Sequence, residues 1–199
     1  MSRHIKAAIA VAAAAIALFA AVGTASAARL SMTESRFLAG WSSMSFAIAE
    51  TTVRCPAIIE GSFHARSFSK TSGTLVGYVR LAYVPSEQCT GGGVTVNEET
   101  LPWHVRYESF TGTLPSITGV RFQIIGATLR GEILGIRCQY ITSATEPLVI
   151  RAGVTSGAMR ELEPLRERTI RGTGGICPNA ALSGASATAE SNPITIRLI

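Results

Sequence analysis

The stretch Leu101–Phe110 constrains what this chain can fold into more than any other. Leu101, Trp103, Val105 and Tyr107 fall on one side of an extended backbone, and Pro102, His104, Arg106 and Glu108 on the other. Successive side chains of a strand point to opposite faces, so this strict alternation describes a half-buried β-strand. Pro102 has no N–H to give to a ladder and belongs at the start of the strand or on an edge. Thr111–Gly119 reads as a loop from its Gly and Pro content. Alternation resumes over Val120–Leu129, where Val120, Phe122 and Ile124 oppose Arg121 and Gln123. The two segments are expected to pair as an antiparallel hairpin with a long loop, Phe110–Gly119.

Similar short apolar runs recur along the chain. Strands are predicted over Met44–Thr51, Ala57–His64, Thr74–Val84, Gly93–Asn97, Ile133–Tyr140, Pro147–Ala152, Arg168–Gly172, Ala181–Ala189 and Ile194–Leu198. Turn residues punctuate them, as at Ser72-Gly73, Gly91-Gly92-Gly93 and Gly172-Thr173-Gly174-Gly175. Two short segments are helix candidates, Met32–Ala39 and Ser156–Glu163, the second limited by Pro164 and equally readable as an irregular loop. Many short strands with regular turns define an all-β fold, an antiparallel β-sandwich or a small β-barrel.

The N-terminus carries an address. Arg3, His4 and Lys6 precede an apolar run from Ala7 to Val22, and Ala25-Ser26-Ala27 follows. A basic start, an apolar middle and small residues before a cut are the layout of a secretory signal peptide. The run is short of the ~20 residues that span a bilayer. Residues 1–27 are therefore expected to be removed, leaving 28–199 as one all-β domain with no transmembrane segment, secreted or held at the cell envelope. Cys55, Cys89, Cys138 and Cys177 all lie in the exported part. An even number of cysteines in an oxidising compartment reads as two disulfides, and no close C-x₂-C pair favours a metal. Pairing of sequence neighbours, Cys55–Cys89 and Cys138–Cys177, closes the smaller loops.

Composition narrows the chemistry. All 13 acidic residues are glutamate, and no aspartate occurs. That removes the EF-hand pattern, the aspartic-protease dyad and any Asp-oriented triad. Loss of Arg3 and Lys6 lowers the formal charge from +5 to +3. The remaining arginines are scattered, with no cluster marking a nucleic-acid footprint. No G-x-S-x-G, H-E-x-x-H, G-x-G-x-x-G or Walker motif is present. Adjacent Glu98 and Glu99 would point to opposite faces of a strand and cannot flank one glycosidic bond. No cofactor or metal is implied. The binding candidates are His104, Arg106 and Glu108, which share one strand face, with Arg121 on the next strand and Trp41 in the Gly/Ser-flanked stretch Gly40–Ser43. A His, an Arg and a Glu in one row suit an anion or acid–base work, whereas mixed charges on a solvated strand face need no ligand at all.

The run Glu99–Tyr107, Phe110, the run Gly112–Val120, the segment Glu60–His64 and the four-cysteine layout together resemble predicted secreted β-rich proteins of high-GC Gram-positive bacteria. The resemblance spans most of the exported part. It implies export and a β-rich fold, and it assigns no activity and no functional residue. The sequence thus points to a non-catalytic binding or structural module of the envelope, whose partner is a cell-wall polymer or another envelope protein. Two alternatives stand beside it: a secreted hydrolase or isomerase using Glu and His104, and a small barrel carrying an apolar ligand. The first requires His104 and Glu108 to converge in a pocket, the second an enclosed apolar cavity.

Overall fold

The alternation at Leu101–Phe110 becomes a strand as expected. The computed structural model describes residues 29–113, 116–133, 135–174, 176–184 and 194–198. Among these residues fifteen strands follow one another: β1 (Arg29–Met32), β2 (Arg36–Ile48), β3 (Thr51–Phe63), β4 (Ser67–Ser69), β5 (Leu75–Tyr83), β6 (Gly93–Val96), β7 (Trp103–Thr113) and β8 (Ser116–Ile125). Then come β9 (Thr128–Ile133), β10 (Ile136–Ile141), β11 (Leu148–Thr155), β12 (Ala158–Pro164), β13 (Thr169–Thr173), β14 (Ala180–Ser183) and β15 (Ile196–Leu198). Single helical turns occupy Ser86–Gln88 and Glu98–Thr100. The fold is all-β. Residues 1–27, where the sequence predicts a signal peptide, lie outside the described residues, and among the described residues no helix is long and apolar enough to cross a membrane.

Twelve strands form one antiparallel sheet in the order β12-β11-β8-β7-β5-β3-β2-β14-β13-β10-β9-β6, and β15-β1-β4 form a small second one. The large sheet curls. Arg54 in β3 exchanges two backbone hydrogen bonds with Thr90, just before β6, so the far end of the sheet returns to its middle. At the other end, Ala158 of β12 bridges to Thr195, which joins the small sheet. Curling turns one face inward, and there the apolar residues collect. Trp103, Val105 and Tyr107 of β7 and Val120, Phe122 and Ile124 of β8 are all buried. Phe63 links this layer to the rest of the core, with ring centroids 5.1 Å from Phe37 and 5.6 Å from Phe122. Gly61, opposite Phe37 in the register, makes room for that ring: a Cβ there would fall on Phe37 and on the Tyr78 carbonyl.

Both disulfides form in the expected pairing, Cys55–Cys89 and Cys138–Cys177. Cys55–Cys89 fastens the place where the sheet returns on itself, beside the Arg54–Thr90 bridge. Cys138–Cys177 ties β10 to the chain after its neighbour β13. Cross-links over such separations stabilise mainly by restricting the unfolded chain. Replacing Cys55 and Cys89 together by serine is expected to cost about 2–4 kcal/mol. A lowered denaturant midpoint with an unchanged strand-type circular dichroism spectrum is the result that checks it.

Several boundaries differ from the sequence reading. The long loop Phe110–Gly119 is not a loop: β7 and β8 continue through it, pairing as far as Thr113 and Ser116, and only residues 114–115 lie outside the described ones. The segment Ser156–Glu163, read as a short helix or an irregular loop, instead holds the strand β12, and the helix candidate Met32–Ala39 is the end of β1 and the start of β2. The single strand Ile133–Tyr140 is two, with β9 ending at Ile133 and β10 beginning at Ile136. Of the strand predicted over Ala181–Ala189, β14 accounts for the part up to Ser183, and residues 185–189 lie outside the described ones.

Candidate functional site

The outer face of the β7–β8–β11 layer gathers most of the charged candidates. Because Trp103, Val105 and Tyr107 point into the core, His104, Arg106 and Glu108 point away from it. On β8 the buried residues Val120, Phe122 and Ile124 leave Arg121 and Gln123 on that same outer side. The register aligns Arg106 with Gln123 and Arg121 with Ser109, and a bulge between Tyr107 and Ser109 sets Glu108 beside them. β11 then places Arg151 directly opposite Arg121. Arg168 arrives from the chain after β12, where the Leu165 N–H donates to the Val149 carbonyl and holds this crossover against β11.

The electrostatics of this patch are unbalanced. Arg168 donates to Glu108 Oε1 at 3.4 Å, and so does Gln123 Nε2 at 3.4 Å. Arg151 pairs with Glu163 at 3.7 Å. Arg106 and Arg121 have no ion pair among the described residues. Their Nε atoms are buried without a hydrogen-bond partner, as is Glu108 Oε2. A buried polar atom that lacks a partner is unusual and calls for a reason. Arg121 and Arg151 also face one another across two strands, an arrangement of like charges that costs stability. Gly119 leaves the space that Arg151 uses: its Nε lies 3.4 Å from where a Gly119 Cβ would stand.

Arg106, Glu108 and Arg121 therefore come together. His104 lies one row away on the same face, exposed, its ring 5.4 Å from Tyr78. Trp41 does not belong to any surface: it is buried among core residues and its indole N–H donates to the Leu162 carbonyl at 3.0 Å. Sequence reasoning missed Arg151 and Arg168, which reach the patch only through the pairing of β11 with β8 and the crossover after β12. Tyr107 and Tyr140, in the core, have phenols pushed above the ordinary tyrosine value by burial and stay neutral.

His104 and Glu108 are four residues apart along an extended strand, about 13 Å at ~3.3 Å per residue. That backbone spacing is too long for a hydrogen bond between the two side chains, so neither orients or activates the other directly. Two apolar cavities lie inside the curled sheet, of about 50 and 40 Å³. Ligand pockets run to roughly 300–1,000 Å³, so these interior spaces are packing gaps rather than a carrier's chamber. A larger open groove of about 890 Å³ lies over β6, β9 and β10, with Arg130, Arg137, Glu87 and Glu132 on its walls. There the charges cancel, and Arg137 is already paired with Glu132 at 3.0 Å. No protein-family model matches this chain, and neither does any curated protein or any solved structure.

Proposed function

We propose that this chain is exported, processed after Ala27, and acts at the bacterial cell envelope as a non-catalytic module that binds an anionic wall polymer. The supporting observation is the charge imbalance of the outer β7–β8–β11 face, where Arg106 and Arg121 lack ion pairs and carry buried, unpartnered Nε atoms. A partly desolvated guanidinium attracts an incoming carboxylate or phosphate more strongly than one in bulk water, because the effective dielectric around it is lower. An arriving anion also offsets the Arg121–Arg151 repulsion. An open sheet face suits a polymer, which is recognised along its length rather than enclosed. Export is supported by the basic, apolar and small-residue N-terminal layout and by four cysteines that are all paired.

The test uses the secreted chain, recovered with a non-reduced mass that begins at Ala28 and contains two disulfides. It is mixed with purified Gram-positive walls before and after their anionic polymers are chemically stripped. Binding to intact walls, release by salt, and loss of binding to stripped walls are expected. Equal retention on stripped walls, or none on either, overturns the reading.

A further inference from the structure

Beside the arginines, the same outer face carries a row of rings. Tyr78 of β5 aligns with His104 of β7, and His64 follows directly after β3. The His64 and Tyr78 rings meet edge to face at 4.8 Å, and those of Tyr78 and His104 at 5.4 Å. His64 and His104 are exposed and Tyr78 is half-buried, so the row is presented to solvent instead of filling the core. It holds both histidines found among the described residues. The next row of the ladder on this face, two residues along β7, holds Arg106 and its partner Gln123. Two residues of strand amount to about 7 Å, so Arg106 stands about that far from the ring row, and Arg121, aligned with Ser109 and Arg151, lies a further row along the same face.

We propose that the anionic polymer is an acidic glycan, with its sugar rings lying on the His64–Tyr78–His104 row and its carboxylates engaging Arg106 and Arg121. This inference rests on the anion-binding reading above and adds the ring requirement to it. Aromatic side chains present an apolar face with a polar tip, which matches a sugar ring's C–H face and its hydroxyls. Arginine matches a carboxylate in a planar, two-point geometry. Polyphosphate and polyglutamate have the charge without the ring, and a neutral glycan has the ring without the charge. The arrangement of a ring row beside Arg106, with Arg121 in the row beyond, requires both.

The experiment measures binding of the processed chain to polygalacturonate, polyphosphate and polyglutamate of matched charge, with Tyr78→Ala and Tyr78→Phe as variants and thermal melts confirming that each is folded. Tyr78→Ala is expected to weaken polygalacturonate binding about tenfold, the equivalent of one stacking contact. Tyr78→Phe keeps the ring and is expected to stay within about twofold. Affinity for polyphosphate and polyglutamate is expected to be unchanged in both variants. Equal weakening toward all three polymers, or no effect on any, overturns the ring platform while the anion site stands. A wild-type chain that prefers polyglutamate to polygalacturonate also overturns it, in favour of an acidic peptide. If the wild type binds none of the three, the anion-binding reading falls and takes this inference with it.

Discussion

Replacing Arg106 and Arg121 together by glutamine is expected to lower affinity for a polyanion by about a hundredfold. Each hydrogen bond to a charged group contributes roughly 1.5–3 kcal/mol, and about 2.7 kcal/mol is a hundredfold in affinity. The two sites are close, so their effects are not expected to add simply. Salt dependence changes as well. Screening weakens exposed charge pairs over about 10 Å at 0.1 M salt, so a variant with fewer contacting charges gives a shallower dependence of affinity on ionic strength. Stability moves the other way. Glutamine at 121 removes the repulsion from Arg151 across the β8–β11 pair, and glutamine at either site removes a guanidinium Nε that lacks a partner. The double variant is therefore expected to melt at or slightly above the wild-type temperature. Calorimetric titration with polygalacturonate at two salt concentrations, with a thermal melt alongside, reads all three effects. Unchanged affinity in a folded double variant would show that these arginines form only a solvated face.

What the sequence revealed of this patch follows from how each residue reaches it. His104, Arg106 and Glu108 are legible as one face because β7 alternates without interruption up to Tyr107. Arg121 is legible because β8 is the hairpin partner of β7 and alternates as cleanly. Arg151 was not, since nothing local announces that β11 pairs with β8 rather than with another strand. Arg168 lies 60 residues from Glu108, and its approach depends on a crossover held by one backbone bond from Leu165 to Val149. The rings were hidden for a similar reason. His64 and Tyr78 are unremarkable until the register of β5 against β7 sets Tyr78 beside His104.

Two of the misread elements share a cause in irregular ladders. β12 carries Ala158 and Met159 buried in succession, next to a register shift at Gly153/Val154, so its apolar residues do not fall on every second position. Met159 and Leu162, three apart, then imitate a helical face. The hairpin tip contains Gly112 and Gly119, which look like loop residues. Gly119 serves instead as a space inside β8, and Gly112 adopts a positive φ at a second register shift, between Thr111 and Gly112. Disulfide pairing was legible because each bridge joins cysteines that are neighbours along the sequence, 34 and 39 residues apart.

Trp41→Ala is expected to cost about 3–5 kcal/mol, the usual range for emptying a large aromatic site in a core. The Gly and Ser residues around Trp41 advertise a surface loop, but they mark a bulge. The β2–β3 register jumps from Trp41/Ala57 to Met44/Cys55, one residue more on β2 than on β3, and the exposed Ser42 and Ser43 together stand opposite Pro56. The bulge re-aims the strand without taking the indole out of the core. The ring lines an apolar gap of about 40 Å³ with Met44, Phe46 and Trp103, so truncation enlarges an existing cavity that has no polar group to hold water. The indole also carries the hydrogen bond to Leu162 of β12, from β2, which is far from β12 in the large sheet. Its loss uncouples the two layers of the curl as well as thinning the core. For a domain of this size, 1 kcal/mol corresponds to about 2–4 °C, so the melting temperature is expected to fall by roughly 6–20 °C. Trp41→Phe keeps most of the buried area and gives up the N–H, and a smaller loss, about 1–2 kcal/mol, follows from one hydrogen bond and a partial cavity. Polymer affinity, measured well below the melting transition, is expected to be unaffected by either change because the binding face lies on the other side of the sheet. A Trp41→Ala chain that melts like the wild type but no longer binds would return Trp41 to the surface and displace the arginine face as the site.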